Sequence, residues 1–344
     1  MTDPFSPNAF SCVEMTTAIN LFPNNYGRIR EQGIFREQGV TTTTISMEQM
    51  SGRLRLLDFE PRGSNGKYLE KSDRTVRTFR IPHIPHPDVI LAESFQNVRA
   101  FGSVNGFDPF TQAVAQRLQY QRNNHAITLE WLRMGALKGL ILDGSGNTYY
   151  NLFDEFDIAA ASDVGDVGKY LEVDFALDND ATNVLDKCLD VSRHIEANLL
   201  GDTMNGVRVM VDKGFFSALV NHPNVKAAFA NWQAASDRLG GDLRKGFTFG
   251  GITFEEYAAR ATDTNGSVVP FINEGEGHAF PSGTMDTFVT YFGPANYAET
   301  INTPGLPLYA RSQPMDYNKG VEIETQSNPL PICHRPAVLV KVLA

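Results

Sequence analysis

The most regular pattern of apolar and polar positions lies in residues 108–138. Asp108 can accept from the free N–H groups of a first helical turn, and Pro109 loses no bond at that position. Residues at gaps of three and four then mark one helical face: Val114, Leu118, Gln121, His125, Leu129, Leu132 and Ala136. Gly139 supplies a helix stop, because glycine adopts positive φ cheaply. The pattern predicts a helix roughly 45 Å long, along which the rest of the chain must pack.

The chain before this helix lacks helical periodicity. Residues 1–40 predict a loose arm, since prolines interrupt scattered phenylalanines. Residues 40–47 predict a strand, and residues 48–85 a long two-stranded hairpin whose turn is the Pro-Arg-Gly-Ser-Asn-Gly cluster at 61–66. The proline-rich segment 81–87 predicts a stiff, non-helical connector. An isolated hairpin is marginal in water, so this basic one is expected to rest on something acidic.

The chain after the helix alternates between short strands, helices and turns. The Asp-Gly pair in residues 143–147 predicts the tight turn of a hairpin over 140–152. Apolar runs predict strands at 207–211, 246–255, 288–292, 321–325 and 337–342. Apolar residues at helical spacing predict helices at 181–199, 213–219 and 224–236. Stretches rich in glycine, asparagine or proline predict irregular connections at 261–282, 294–314 and 328–331.

Composition narrows the class of protein. The 344 residues are 42% hydrophobic, which suits one large domain or two. The formal net charge of −10 argues against a protein that grips nucleic acid over most of its surface. No run of about 18 apolar residues occurs, so no membrane contact is expected. The start has neither a basic segment nor an apolar core, so no secretion signal is expected, and the cysteines are expected to be reduced cytoplasmic thiols.

Charge is distributed unevenly along the chain. Residues 53–80 contain eight basic and four acidic residues, a net charge of +4. Residues 151–202 contain thirteen acidic and three basic residues, a net charge of −10. Within this acidic segment, Asp154, Glu155 and Asp157 are close enough in sequence to bind a cation. Carboxylates this close more often form a solvated face or meet a basic partner, which is the interpretation that we prefer.

The motifs of common active sites are missing from the sequence. There is no glycine-rich phosphate loop followed by Lys-Ser or Lys-Thr, no Gly-x-Gly-x-x-Gly after a strand and no Gly-x-Ser-x-Gly elbow. His83, His86 and His278 are expected to be exposed loop histidines, without a third ligand that would complete a zinc site. His125 is expected to be a satisfied contact residue, and His194 a surface residue paired with its acidic neighbours. We therefore predict no catalytic residue, no cofactor and no metal ion.

The order of these parts, and above all the carboxyl-terminal residues, resembles a known family. The chain runs from an arm through a long basic hairpin to a long helix, which Lys138-Gly139 and a second hairpin follow. Its closing pattern is Tyr309-Ala310-Arg311, Lys319-Gly320-Val321-Glu322-Ile323-Glu324, Ser327-Asn328-Pro329-Leu330-Pro331-Ile332, Arg335-Pro336 and a final apolar strand. Over essentially its whole length the chain resembles the lambda-type major capsid proteins of bacteriophages, the capsid protein E family.

The resemblance implies an α+β protein with the tailed-phage capsid fold, also called the HK97-like major capsid protein fold. The implied division of the chain is an N-terminal arm over 1–45, an extended β-hairpin loop over 46–85, a peripheral domain over 86–175 and 305–344 with residues 108–138 as its spine helix, and an axial domain over 176–304. The extended loop would lie over a neighbouring subunit. The loops of the axial domain would meet at the five-fold and six-fold positions of a shell.

The function that the resemblance implies is that of a tailed-phage major capsid protein, which is not an enzyme. Copies of the chain would assemble as hexamers and pentamers into the icosahedral head shell of the virion, in the host bacterial cytoplasm. The shell would enclose double-stranded DNA without sequence-specific binding. The expected partners are a portal, a decoration protein and a scaffolding protein, the last a separate chain because only about 45 residues precede the hairpin.

Opposite charges on identical chains are complementary between neighbouring copies, and such charges steer the orientation of an encounter. The predicted contact residues between subunits are Arg62, Lys67, Lys71 and Arg74 on the basic side and Asp154, Glu155 and Asp157 on the acidic side. A covalent link from Lys67 or Lys71 to a neighbour's asparagine occurs in one branch of this fold and stays open. Two alternatives also stay open: an encapsulin-like compartment shell, and a cytosolic α+β enzyme with a site built from scattered residues.

Overall fold

The computed structural model describes residue 16 and residues 27–50, 74–95, 109–230 and 243–344. Within these ranges the helices are α1 (Arg28–Glu31), α2 (Pro109–Lys138), α3 (Leu152–Glu155), α4 (Val184–Asn198), α5 (Lys213–Asn221) and α6 (Pro223–Ala230). The strands are β1 (Arg36–Gly39), β2 (Thr44–Met50), β3 (Arg74–Arg80), β4 (Ile84–Leu91), β5 (Leu140–Leu142), β6 (Thr148–Asn151), β7 (Leu171–Asp174), β8 (Gly206–Val211), β9 (Phe247–Phe249), β10 (Ile252–Glu256), β11 (Arg260–Thr262), β12 (Val268–Pro270), β13 (Glu276–Ser282), β14 (Phe288–Phe292), β15 (Tyr309–Pro314), β16 (Gly320–Ser327), β17 (Pro329–Cys333) and β18 (Val340–Leu343).

The predicted long helix is confirmed as α2, which spans 30 residues. Its predicted face is buried except at Leu129, which is half-buried. Val114 and Leu118, near its start, belong to a small apolar cluster, whereas Leu132, near its end, belongs to the main core. The helix stops where Gly139 adopts a φ of 79°. Because one rigid helix contributes to both clusters, α2 connects two separate cores.

The largest sheet has six strands in the order β7-β18-β13-β8-β10-β9. β8 pairs parallel with β10 and antiparallel with β13, and β18 pairs antiparallel with β13 and parallel with β7. The predicted Val-Arg-Val-Met-Val strand is β8, and its apolar side chains are buried because it lies inside the sheet. Side chains of α4 and α5 share the core of this sheet, among them Cys188, Val191, Ile195, Phe215 and Leu219.

Two smaller sheets flank α2. One has the order β15-β16-β4 and packs on the first half of α2 through Ile90, Val321 and Ile323. The other has the order β1-β14-β17 and joins a strand from the N-terminal region to two strands from the last sixty or so residues. The mixture of helices and mostly antiparallel sheets makes the protein α+β, as predicted.

The division into peripheral and axial domains stays a prediction. The six-stranded sheet draws on both ranges: β7 and β18 come from residues assigned to the peripheral domain, and β8, β9, β10 and β13 come from residues assigned to the axial domain.

The first hairpin differs from the prediction in its first strand: β2 takes most of its residues from the strand predicted separately at 40–47. β2 and β3 pair antiparallel over their full length, while residues 51–73, including the predicted turn, lie outside the described residues. β5 and β6 pair antiparallel around the predicted Asp-Gly turn. There the carboxylate of Asp143 accepts from the backbone N–H groups of Ser145 and Asn147, both at 2.8 Å. This pairing of side chain with backbone is why an aspartate opens the turn.

Three of the predicted irregular connections are wrong, because they contain strands: β11, β12 and β13 lie in 261–282, β15 in 294–314 and β17 in 328–331. The connector at 81–87 is likewise largely part of β4. The prolines of β4 and β17 are tolerated because both are edge strands of their sheets, where a missing N–H costs no ladder bond. In β13, Gly277 is required because a Cβ there would collide with Val211 and Val342.

Candidate functional site

The base of the first hairpin is held by an aromatic cluster. Phe79 of β3 is fully buried and lies between Tyr150, at 5.3 Å edge to face, and Phe156, at 5.8 Å stacked. The backbone N–H of Arg80 donates to the hydroxyl of Tyr150 at 2.8 Å, and the hydroxyl of Tyr149 donates to the carbonyl of Arg80 at 3.1 Å. The second hairpin, β5–β6, therefore anchors the first one at its base.

The basic hairpin meets the acidic segment within the same chain. Arg77 of β3 forms an ion pair with Asp157 at 2.9 Å and donates a second bond to the backbone carbonyl of Glu155. Its guanidinium also lies over the ring of Phe156, 5.4 Å from the centroid. In the sequence Arg77 is only one of eight basic residues at 53–80, and its spacing gives no sign of this pairing.

The other predicted contact residues are only partly described. Arg62, Lys67 and Lys71 lie outside the described residues, and of Arg74 only its backbone position in β3 is described. Asp154 and Glu155 are exposed, and the carboxylate of Asp154 accepts from the side-chain amide of Asn151 at 2.6 Å. Contacts of these residues with another subunit stay a prediction.

A segment of the predicted loose arm is docked rather than loose. Residues 27–39, which we call the strap, place β1 parallel to β14 at a sheet edge. The backbone N–H of Ile29 and the hydroxyl of Tyr257 both donate to the carboxylate of Glu130, at 2.7 and 2.9 Å. Burial raises the pKa of Glu130, and these two donors oppose that rise. Glu130 lies on α2, so the strap is fastened to the long helix.

Two further charged residues fasten the strap. Arg133 of α2 is 1% exposed, and it donates to Glu37 at 2.8 Å and to the hydroxyl of Thr290 at 3.2 Å. Burial lowers the pKa of Arg133, and the bond to Glu37 opposes that shift. On the other side, Arg28 donates to the buried carboxylate of Glu255 at 2.5 Å. A buried charge is tolerated only when it is paired. The strap supplies Arg133 with its bonded carboxylate and Glu255 with a cation closer than Arg208, which lies 4.0 Å away.

The structure confirms the predicted environment of one histidine and contradicts that of two others. His125 is buried, and its Nε2 bonds with the hydroxyl of Thr325 at 3.0 Å, as expected for a satisfied contact residue. The prediction for His278 is wrong, because β13 carries it into the core. The prediction for His194 is also wrong: it is fully buried beneath a loop and bonds to the backbone of Gly165 and Lys169. Neither residue had a local signal of burial in the sequence.

The described residues offer no metal cluster and no membrane-spanning helix. In that part of the chain, no group of three or more His, Cys, Asp or Glu side chains could hold a metal ion. Nor does any helix there have the length and apolar character needed to cross a membrane.

The class of protein follows from the fold. A putative capsid protein of an Escherichia coli CFT073 prophage has a similar structure, with a TM-score of 0.59, 13% identity and coverage of 96% of this chain and 98% of that chain. The mature capsid of bacteriophage PhiM1 gives a TM-score of 0.53 at 13% identity, covering 94% of this chain and 88% of that one. The fold is therefore that of phage capsid proteins, as predicted.

The sequence comparisons narrow this class to one family. The family model described as phage major capsid protein E matches residues 11–344. The major capsid protein of Salmonella phage Felix O1 is 30% identical, over 97% of this chain and 96% of the relative. That of Pseudomonas phage KPP10 is 30% identical, over 98% of each. The chain belongs to the phage major capsid protein E family.

Membership of this family decides between the open alternatives. The chain is a structural protein of a tailed-phage capsid, not an enzyme, and it associates with copies of itself in the virion shell. An encapsulin-like compartment is not favoured, because both relatives at 30% identity are phage major capsid proteins. The strap and the hairpin base are therefore parts of an assembling subunit.

Proposed function

We propose that this chain builds the icosahedral head shell of a tailed bacteriophage by assembling with copies of itself as hexamers and pentamers. One observation carries the proposal: the base of the first hairpin is anchored to its own chain through Arg77 and Phe79. The predicted hairpin would thus continue from a fixed base, and an isolated two-stranded ribbon needs a further surface to be stable. A neighbouring copy supplies that surface.

The proposed contacts between copies are electrostatic. They join Arg62, Lys67, Lys71 and Arg74 of one copy to acidic residues of the next, among them Asp154, Glu155 and Asp157. Asp154 and Glu155 support the proposal because they are exposed. Asp157 already pairs with Arg77 of its own chain, so it contributes negative charge rather than a free carboxylate. Charge of this kind acts mainly on orientation and encounter rate.

The finer assignments belong to the same proposal. The proposed parts are an arm over 1–45, an extended loop over 46–85, a peripheral domain over 86–175 and 305–344, and an axial domain over 176–304. The proposed further partners are a portal, a decoration protein and a separate scaffolding protein. The shell encloses double-stranded DNA without sequence-specific binding and is assembled in the host bacterial cytoplasm. The net charge of −10 supports a wall to which packaged DNA does not adhere.

Electron microscopy of the purified chain, alone and co-expressed with the candidate scaffolding protein of its phage, tests the proposal. We expect closed particles with pentamers at the vertices and hexamers between them. A stable monomer or small oligomer under both conditions would contradict it.

A charge exchange tests the contacts. Replacing Arg62 and Lys67 by Glu should lower the yield of particles about tenfold, because like charges then face each other. Adding Asp154→Lys and Glu155→Lys to the same chain should restore part of the yield. Lys245→Glu, which reverses an exposed charge elsewhere, is the control. Equal loss from the control, or no recovery in the exchanged chain, would refute these contacts.

A further inference from the structure

One surface loop is held more rigidly than a simple connection requires. Residues 162–168, which we call the valine loop, are closed at their base by the N–H of Ala161, which donates to the carbonyl of Tyr170 at 2.7 Å. The loop exposes two apolar side chains, Val164 at 42% and Val167 at 38%. An isolated exposed valine is ordinary, but two on one short, tightly bonded loop form a defined apolar projection.

Two buried polar side chains of α4 hold the valine loop from below. His194 is fully buried, and its Nδ1 accepts from the N–H of Gly165 at 3.3 Å while its Nε2 donates to the carbonyl of Lys169 at 3.1 Å. Asn198 is 1% exposed, accepts from the N–H of Gly168 at 2.7 Å and donates to the carbonyl of Asp166 at 3.1 Å. All of these bonds act on the backbone of the loop.

A third side chain fixes the loop from within. The carboxylate of Asp166 accepts from the N–H groups of Ser162 and Asp163, at 3.1 and 3.4 Å, and from the ammonium of Lys169 at 3.1 Å. Burying a polar side chain is costly unless it is bonded. A loop whose shape is set in advance loses little entropy when something binds to it. The valine loop therefore has the properties of a preformed docking surface.

We infer that the valine loop receives the hairpin tip, residues 61–69, of a neighbouring copy of this chain. The tip comprises the predicted turn at 61–66 and the three residues after it. The inference rests on the proposed function and names the surface that the extended loop would contact. Charge complementarity supports this occupant: the tip carries Arg62 and Lys67 and no acidic residue, whereas the valine loop exposes Asp163 within the acidic segment 151–202. The tip also ends in Tyr-Leu, two apolar side chains that suit the exposed valines.

Geometry favours a neighbour over the same chain. The valine loop lies beside the base of its own hairpin, because Phe153 packs on Tyr170 at 4.3 Å while the adjacent Phe156 packs on Phe79 at 5.8 Å. The predicted turn begins about ten residues beyond Met50, which corresponds to roughly 35 Å of strand. A hairpin that continued β2 and β3 over that length would carry its turn away from its own base and toward another copy.

A mixing experiment tests this inference. One set of full-length chains carries Val164→Cys and a second set carries Lys67→Cys, both with Cys12→Ser, and the two remaining cysteines are buried. The sets are assembled together and treated with a short bismaleimide. We expect a covalent dimer in the mixed particles and none in particles made from either set alone. Mixed particles without the dimer would overturn the inference, as would a dimer formed equally in each single set.

A second pair of variants tests the apolar projection. Replacing Val164 and Val167 by Lys should reduce the yield of particles about tenfold, because the basic tip then meets like charge. Val268→Lys, at a valine that is 63% exposed on β12, should assemble as the unmodified chain does. Equal assembly of all three chains would overturn the inference. If the unmodified chain formed no particles, the proposed function itself would fail, which is a distinguishable result.

Discussion

Lowering the pH from 7 to 5 should destabilise the folded chain through two histidines that the fold buries. Burial lowers the pKa of His125 to about 4, and the nearby charge of His86 adds to this effect. Burial lowers the pKa of His278 to about 3, with Lys138 and Lys341 adding positive charge around it. Within the described part of the chain, Nε2 of His278 has no hydrogen-bond partner. Each ring is therefore held in its neutral form in the folded protein.

The direction of the effect follows from proton binding. In the unfolded chain both histidines titrate near 6.5. Below that pH the unfolded chain binds protons that the folded chain excludes, so stability falls as the pH falls toward the folded values. Since one pKa unit corresponds to about 1.4 kcal/mol, each histidine should cost on the order of 2 kcal/mol between pH 7 and pH 5. The two together should cost about twice that.

Urea unfolding at pH 5, 6 and 7 measures this loss. The measurement uses a Trp232→Phe chain, in which Trp131 is the remaining tryptophan. Its fluorescence reports on the fold around it, because its indole N–H donates to the carbonyl of Leu142 at 3.2 Å. His125→Gln and His278→Gln should each reduce the loss of stability between pH 7 and pH 5 by about 2 kcal/mol, whatever their effect on stability at pH 7. His83→Gln, which removes an exposed histidine, is the control. An unchanged pH dependence in both buried-site variants would refute the reasoning.

Two further substitutions test the packing around the strap. Gly305→Ala should lower the free energy of unfolding in urea by about 2 to 3 kcal/mol, because the new Cβ would collide with the last carbonyl of β14. Gly144→Ala is the control: this position has room for a Cβ, so the loss should be under about 1 kcal/mol. Glu37→Ala should cost about 3 kcal/mol and speed hydrogen exchange of the strap, because the guanidinium of Arg133 on α2 then stays buried without its carboxylate partner. Arg117→Met, at an exposed ion pair on the same helix, should cost under about 1 kcal/mol and leave exchange of the strap unchanged. Equal costs within either pair would contradict this account.

Ion pairs with distant buried residues explain why the strap is docked although the sequence predicts a loose arm there. Residues 28–37 are rich in charge, which normally indicates a solvated segment. In the folded chain Arg28 and Glu37 instead meet Glu255 and Arg133, each more than ninety residues away in sequence. A single chain shows no sign of such pairing, because opposite charges far apart in sequence are abundant everywhere.

Local patterns in the sequence were sufficient for the elements whose partners lie close by in the chain. The helix α2 is set by contacts between residues three and four apart, and the β5–β6 turn is set by Asp143 bonding to its own loop. The order of these elements and the carboxyl-terminal residues also carried the family, which the comparisons confirm.

Tertiary structure alone decided the strands with distant partners and the burial of single polar residues. β13 is a central strand despite its glycine and its proline, because β8 and β18, about 60 residues away on either side, pair with it. The same pairing buries His278, and the loop above α4 buries His194. A strand is completed by another segment of the chain, so its position and its burial depend on where that segment lies, whereas a helix bonds within itself.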